Sequence, residues 1–248
     1  MTSAPDGAGR LAREREHHRA IAPRAEVVWN WASPSGRRRA ARRGEFYAQA
    51  LAAAGGRRAL ELGCGSGVFL ERTVTTGAAI VAIDLSLDLI AQAREKLGGR
   101  GRAWLCCANA ERLPFPHAAF DLVYGSSILH HLNLPAALRE LHRVLRPGGL
   151  LVFAEPNLLN PQIALSFRLL PREWSGLSPD EMAFTRFSAR RILAELGFVD
   201  VSSEPYDFLH PVVPAALVGV VERLSLWLER IPLVREIAGS QIIRARRP

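Results

Sequence analysis

The chain is poor in several residue types, and each shortage excludes something. Cys64, Cys106 and Cys107 are the only cysteines in 248 residues. They are too few, and too embedded in strand-like apolar patterns, for a disulfide framework or a zinc site. A reducing, cytoplasmic setting is the expectation, and no metal is expected. No apolar run reaches the ~18 residues that a membrane span needs, and the sequence opens without a charged-then-apolar leader pattern. Internal repeats and low-complexity tracts are missing. Lys96 is the only lysine, so arginine carries nearly all of the positive charge behind a formal net charge of +8. That surplus invites a nucleic-acid partner, but its placement argues against one. Residues 1–43 hold ten arginines against four acids, and the remainder is close to balanced.

What is present is concentrated in residues 59–70. Ala59-Leu60-Glu61-Leu62 is an apolar run with one acid, and it passes directly into Gly63-Cys64-Gly65-Ser66-Gly67 before apolar residues resume. The pattern reads as strand, tight turn and helix start. Glycines at alternate positions permit positive φ and close approach of a ligand to the backbone, and a helix beginning there offers free N–H groups. Residues 79–84 repeat the buried-strand pattern and end in Asp84, a carboxylate at the usual distance for gripping a ribose diol. The dinucleotide fingerprint requires a third glycine where this chain has Val68. Glu61 before the turn would oppose a pyrophosphate and suits an ammonium or sulfonium ligand instead.

At these residues the chain resembles the class I S-adenosylmethionine-dependent methyltransferases. Glu61-Leu62-Gly63-Cys64-Gly65-Ser66-Gly67 is similar to their first motif, Asp84 to their ribose-binding acid, and Leu145-Arg146-Pro147-Gly148-Gly149-Leu150-Leu151-Val152-Phe153 to a later family segment. The resemblance runs from about residue 57 to 155. It implies S-adenosyl-L-methionine as cofactor, with Glu61, Gly63, Cys64, Gly65 and Ser126 at the methionine end. Asp84 and Leu85 then serve ribose and adenine, and Asn109 and Ala110 serve adenine. Asn109 stands where the family usually has Asp, and it keeps the carbonyl acceptor.

The implied reaction is methyl transfer to O, N or C of a small-molecule acceptor, such as a secondary metabolite or a lipid-like compound. An alcohol or ammonium nucleophile must also lose a proton, and a neutral imidazole suits that task. His131 is the candidate base and His130 its substitute, and hydrogen bonding within their loop is the competing reading. Glu155 with Asn157 is a weaker candidate for substrate contact. A non-methylating reaction on the same fold, such as cyclisation, stays open, and Val68 and Glu61 disfavour a nicotinamide-dependent oxidoreductase.

The order of apolar runs, with the resemblance, predicts an α/β fold: a Rossmann-like, seven-stranded, mostly parallel sheet with an antiparallel last strand and helices on both faces. Strands are expected at 57–62, 79–84, 103–108, 119–124, 150–155, 199–203 and 241–245, with a turn at 146–149. Helices are expected from Ser66 or Gly67 and at 86–97, 135–145 and 188–196. Residues 1–55 read as an N-terminal arm and helix on the lid or substrate side. Residues 56–248 read as the core, with cap insertions at 156–187 and 211–238. Residues 1–20 are either poorly ordered or a loose helix. Trp29 and Trp31 either cover a ligand or anchor the arm. Arg38, Arg39, Arg42 and Arg43 lie on a predicted helix at 37–51, either solvated or binding a carboxylate or phosphate. Residues 212–231 place Leu224, Trp227, Leu228 and Ile231 on one helical face. Packing on their own domain, a dimer interface or a peripheral membrane contact would each use that face, so monomer and homodimer both remain open.

Overall fold

The computed structural model describes residues 7–55, 57–168 and 184–248. Residues 169–183 of the expected cap lie outside the described residues. Seven strands form one sheet in the order β3-β2-β1-β4-β5-β7-β6. They are β1 (Arg58–Leu62), β2 (Ala79–Asp84), β3 (Arg102–Cys107), β4 (Phe120–Ser126), β5 (Leu145–Pro156), β6 (Val199–Tyr206) and β7 (Ser240–Arg246). Pairings from β3 across to β5 are parallel, and β7 runs antiparallel to both β5 and β6. The central strands are apolar because helices cover both sheet faces. Leu60, Leu62, Val123 and Phe153 pack to one side, and Ala59, Leu122, Tyr124 and Val152 to the other.

The chain order reverses direction between β1 and β4, and ligands of open α/β sheets bind at such a reversal. All three motif glycines lie there with positive φ, at +65° for Gly63, +52° for Gly65 and +82° for Gly67.

Helices surround this frame: α1 (Gly7–Ile21), α2 (Ala25–Val28), α3 (Pro34–Ala53), α4 (Leu70–Thr73), α5 (Leu87–Leu97), α6 (Leu134–Val144), α7 (Pro161–Arg168), α8 (Arg186–Glu195), α9 (Val218–Leu228) and α10 (Pro232–Arg235). Ser33, Ser86, Asn133 and Thr185 cap four of them through side-chain oxygens. Residues 7–21 settle as a helix.

Three expectations change. The helix after the glycine turn begins at Leu70 rather than Ser66 or Gly67, because Gly67 at φ +82° lies outside helical geometry. The expected turn at 146–149 is absorbed into β5 as an irregular stretch, where pairing steps from Phe120↔Leu145 to Leu122↔Leu150. The third concerns α9, where the alternative that its apolar stripe packs on its own domain gives way, since part of that stripe faces out. Leu224 is 51% and Trp227 55% exposed, whereas Ser225 is buried. The inward face is polar because it carries hydrogen bonds. Phe208 N–H donates to Ser225 Oγ at 2.8 Å, and Asp207 N–H donates to Glu229 at 2.9 Å. Arg42 closes on Glu229 at 2.7 and 2.5 Å.

Candidate functional site

Two cavities open side by side at the carboxyl edge of the sheet. The first has a main volume of about 250 Å³ lined by Gly63, Cys64, Gly65, Asp84, Ser126, His130 and His131. A narrow extension of about 40 Å³ is lined by Asp84, Leu85, Asn109 and Ala110. Of the residues expected to bind cofactor, eight therefore line one connected space. Asp84 ends β2 and faces both parts of it. One carboxylate oxygen accepts Gly65 N–H and the other Ser86 N–H, each at 2.9 Å, so the acid is preset by the turn that it serves. Asn109 Oδ1 accepts Glu111 N–H at 2.9 Å. Burial beside Asp84 and Glu61 pushes the Cys64 thiol well up, which makes it a wall rather than a nucleophile.

Glu61 is the ninth and lies apart. Its carboxyl is buried in β1, lines neither cavity, and accepts Tyr124 O–H at 2.7 Å, with Tyr124 in turn 2.8 Å from Thr73 Oγ1. Burial, reinforced by Asp84, outweighs the Tyr124 bond and pushes Glu61 up to about 8. It is largely neutral at pH 7.

The two histidines differ. His130 is buried, and its Nδ1 lies 2.7 Å from Glu155 Oε2. Glu155 also accepts Ile128 N–H at 3.0 Å and Leu129 N–H at 2.9 Å, so carboxylate and loop fix each other. A carboxylate on Nδ1 holds the ring proton there and makes Nε2 the acceptor. His131 stacks beside it at 4.3 Å between centroids and faces Glu14 of α1, with Nδ1 3.6 Å from Oε2. Glu155 and Asn157 do not line the cavities. Glu155 is wholly engaged with the histidine loop, and Asn157 donates to the carbonyls of Glu236 and Ala238.

Which residues of the N-terminal arm cover this space could not be read from the sequence. Helix α1 brings Arg10, Leu11, Glu14, His17 and His18 across it. Arg10 pairs with Glu111 and donates to the His131 carbonyl at 3.0 Å. Nothing local in this polar helix predicts the contact, since its partners are about 100 residues away. Trp29 and Trp31 lie between the arm and the cavity. Trp31 packs edge-on against Phe69 at 5.3 Å, and both indoles line the cavity.

The second cavity, about 370 Å³, shares Trp29, Trp31, Ser127 and Pro156 with the first. Arg39, Arg43, Ile163, Phe167, Phe208 and His210 complete its walls.

A methyltransferase-domain family profile matches residues 60–153. A demethylmenaquinone methyltransferase of Geobacillus kaustophilus is 30% identical over 176 residues, a span covering 62% of this chain and 75% of that one. The chain belongs to the class I S-adenosylmethionine-dependent methyltransferases. A malonyl-[acyl-carrier protein] O-methyltransferase of Legionella pneumophila is 38% identical over 123 residues, or 48% of this chain. The chain spans only 41% of that relative's length. Among solved structures, the [4+2]-cyclase SpnF superposes with a TM-score of 0.60 at 24% identity, over 84% of this chain and 81% of that one, which is a likeness of fold.

The residues of this family member fit the family's cofactor. A Cβ on Gly63 would lie 2.7 Å from Ile128, and one on Gly65 would lie 3.2 Å from Trp29, so the two glycines keep open a cradle that any side chain would fill. A carboxylate stands at the strand end where it would meet a ribose diol, and an apolar slot with an amide carbonyl lies beyond it.

Proposed function

We propose that the protein transfers a methyl group from S-adenosylmethionine to an O, N or C atom of a small-molecule acceptor. The observation that carries this reading is the shared wall. Trp29, Trp31, Ser127 and Pro156 line both cavities, so two ligands bound in them would lie against the same four residues. The cofactor supplies an electrophilic methyl, and the chain's task is then mainly placement. Asp84 and Leu85 would hold ribose, and Asn109 and Ala110 adenine. Gly63, Cys64, Gly65 and Ser126 would hold the methionine end, with neutral Glu61 supporting their turn from below.

Where the acceptor must lose a proton, His130 is the better base, because Glu155 fixes its tautomer and steadies the charge it would gain. His131 is its neighbour and substitute. Residues 1–55 and the insertions at 156–187 and 211–238 would enclose the acceptor around the core of residues 56–248. Relatives named for a malonyl-[acyl-carrier protein] and for demethylmenaquinone support acyl or quinone-like acceptors. The outward stripe of α9 suits a peripheral contact.

Calorimetric titration with S-adenosylmethionine tests the first half of the proposal. Binding is expected, and Asp84→Ala should weaken it by about 1.5 kcal/mol or more, the order of a charge-assisted hydrogen bond. Transfer of a labelled methyl group tests the second half. Absence of binding to the unmodified chain would overturn the reading.

A further inference from the structure

The second cavity contains a buried charge with no ion-pair partner among the described residues. Arg43 of α3 is 2% exposed, so it is no part of a solvated helix face. Its Nη1 donates to Ser126 Oγ at 2.6 Å and Ser127 Oγ at 3.0 Å, and its Nη2 donates to Ser240 Oγ at 3.0 Å. Its Nε has no partner. All three acceptors are neutral hydroxyls, and among the described residues no carboxylate forms an ion pair with it. Its neighbours on the same helix are treated differently. Arg39 meets Asp207 at 2.7 Å, and Arg42 is held by Glu229. A buried cation left with neutral partners is costly unless an anion completes the site.

The surroundings say what kind of anion. Trp31 lies under the Arg43 guanidinium at 5.0 Å from its centroid and stabilises its plane. Among the described residues Asp207 is the only acid on the cavity wall, and Arg39 already holds it, so these side chains leave one positive charge in excess, with Asp207 and the buried Glu155 acting on Arg43 only from beyond ion-pair distance. A singly charged group matches that, whereas a phosphate dianion would leave a negative excess. Ile163, Phe167, Phe208 and Leu209 supply apolar surface for the remainder of the ligand.

We propose that the second cavity selects an acceptor bearing a carboxylate on an apolar body, with Arg43 as the residue that recognises the carboxylate. This rests on the methyl-transfer reading for the word acceptor, but the binding site can be tested without it. The methionine carboxylate of the cofactor has the same chemistry, and Ser126 and Ser127 also border the first cavity. Arg43 itself lines only the second.

The probes are decanoate and its neutral counterpart decanamide, titrated calorimetrically into the full chain with and without saturating S-adenosylhomocysteine. Decanoate should bind about tenfold more tightly than decanamide, the order expected of one charge-assisted contact. Arg43→Gln should abolish that preference while costing well under tenfold in affinity for S-adenosylhomocysteine, a smaller loss passed on through Ser126, whose hydroxyl Arg43 holds. Equal binding of the two probes to the unmodified chain would overturn the proposal, and this arm needs no variant to fold. A tenfold loss of S-adenosylhomocysteine affinity in Arg43→Gln with the decanoate preference intact would overturn it too, by assigning the arginine to the cofactor. Failure of S-adenosylhomocysteine to bind the unmodified chain would sink the methyl-transfer reading alone, because the decanoate preference is also read without it.

Discussion

The two cavities share a wall but are built on different terms. The first is made largely by backbone: three glycines with positive φ, an aspartate held by two N–H groups, and the ends of β1, β2 and β4. The second is made by side chains from α3, α7 and the stretches 207–211 and 239–240, which come together only in the finished fold. A backbone-built cavity can serve one constant ligand while a side-chain-built one changes freely around it. That is the division expected of a protein joining a fixed donor to a varied acceptor.

The contrast can be attacked experimentally. The largest effect belongs to His130, on the wall of the first cavity. His130→Asn should lower kcat by about 100-fold for an acceptor that must be deprotonated, the lower range for a lost general base. Binding of S-adenosylhomocysteine should persist, and stopped-flow or steady-state transfer of labelled methyl separates the two. Unchanged kcat would move the base elsewhere.

Next comes the support beneath the first cavity. Glu61 is raised to about 8 when folded, against an ordinary value near 4.5. Its contribution to stability is therefore full below about pH 4.5 and is lost as pH rises through about 8. The slope from this one group approaches about 1.4 kcal/mol per pH unit at most. Glu61→Gln should remove that slope, so Tm measured from pH 5 to 9 should fall less in the variant. Parallel curves would contradict a buried neutral carboxyl.

Gly63→Ala should cost about 1–2 kcal/mol through its left-handed backbone alone, with the 2.7 Å approach to Ile128 adding to it. Denaturant unfolding measures the loss. The smallest effect sharpens the contrast most. Ile163→Ala in the second cavity should leave S-adenosylhomocysteine affinity within about twofold while shifting acceptor preference, since Ile163 lines the second cavity and not the first. A large change in cofactor affinity would mean that the cavities are not separable.

Legibility followed the same division. The sheet and its antiparallel last strand could be read from the order of apolar runs together with the family resemblance, and the residues of the first cavity because glycine spacing and strand-end acids are local in sequence. Glu61 was read in the right place but with the wrong exposure, because its partner Tyr124 lies on the adjacent β4. Arg43 could not be read as buried, since Ser240 is nearly the whole chain away. For α9, periodicity identified which residues share a face, but not that Glu229 and Ser225 would draw the opposite face inward.

Arg10 fastens α1 to Glu111 and to the backbone of the histidine loop, directly over the slot formed by Leu85, Asn109 and Ala110. The cover of that slot is thus tied down at both of its edges by a single side chain, whose partners lie about 100 residues away in sequence.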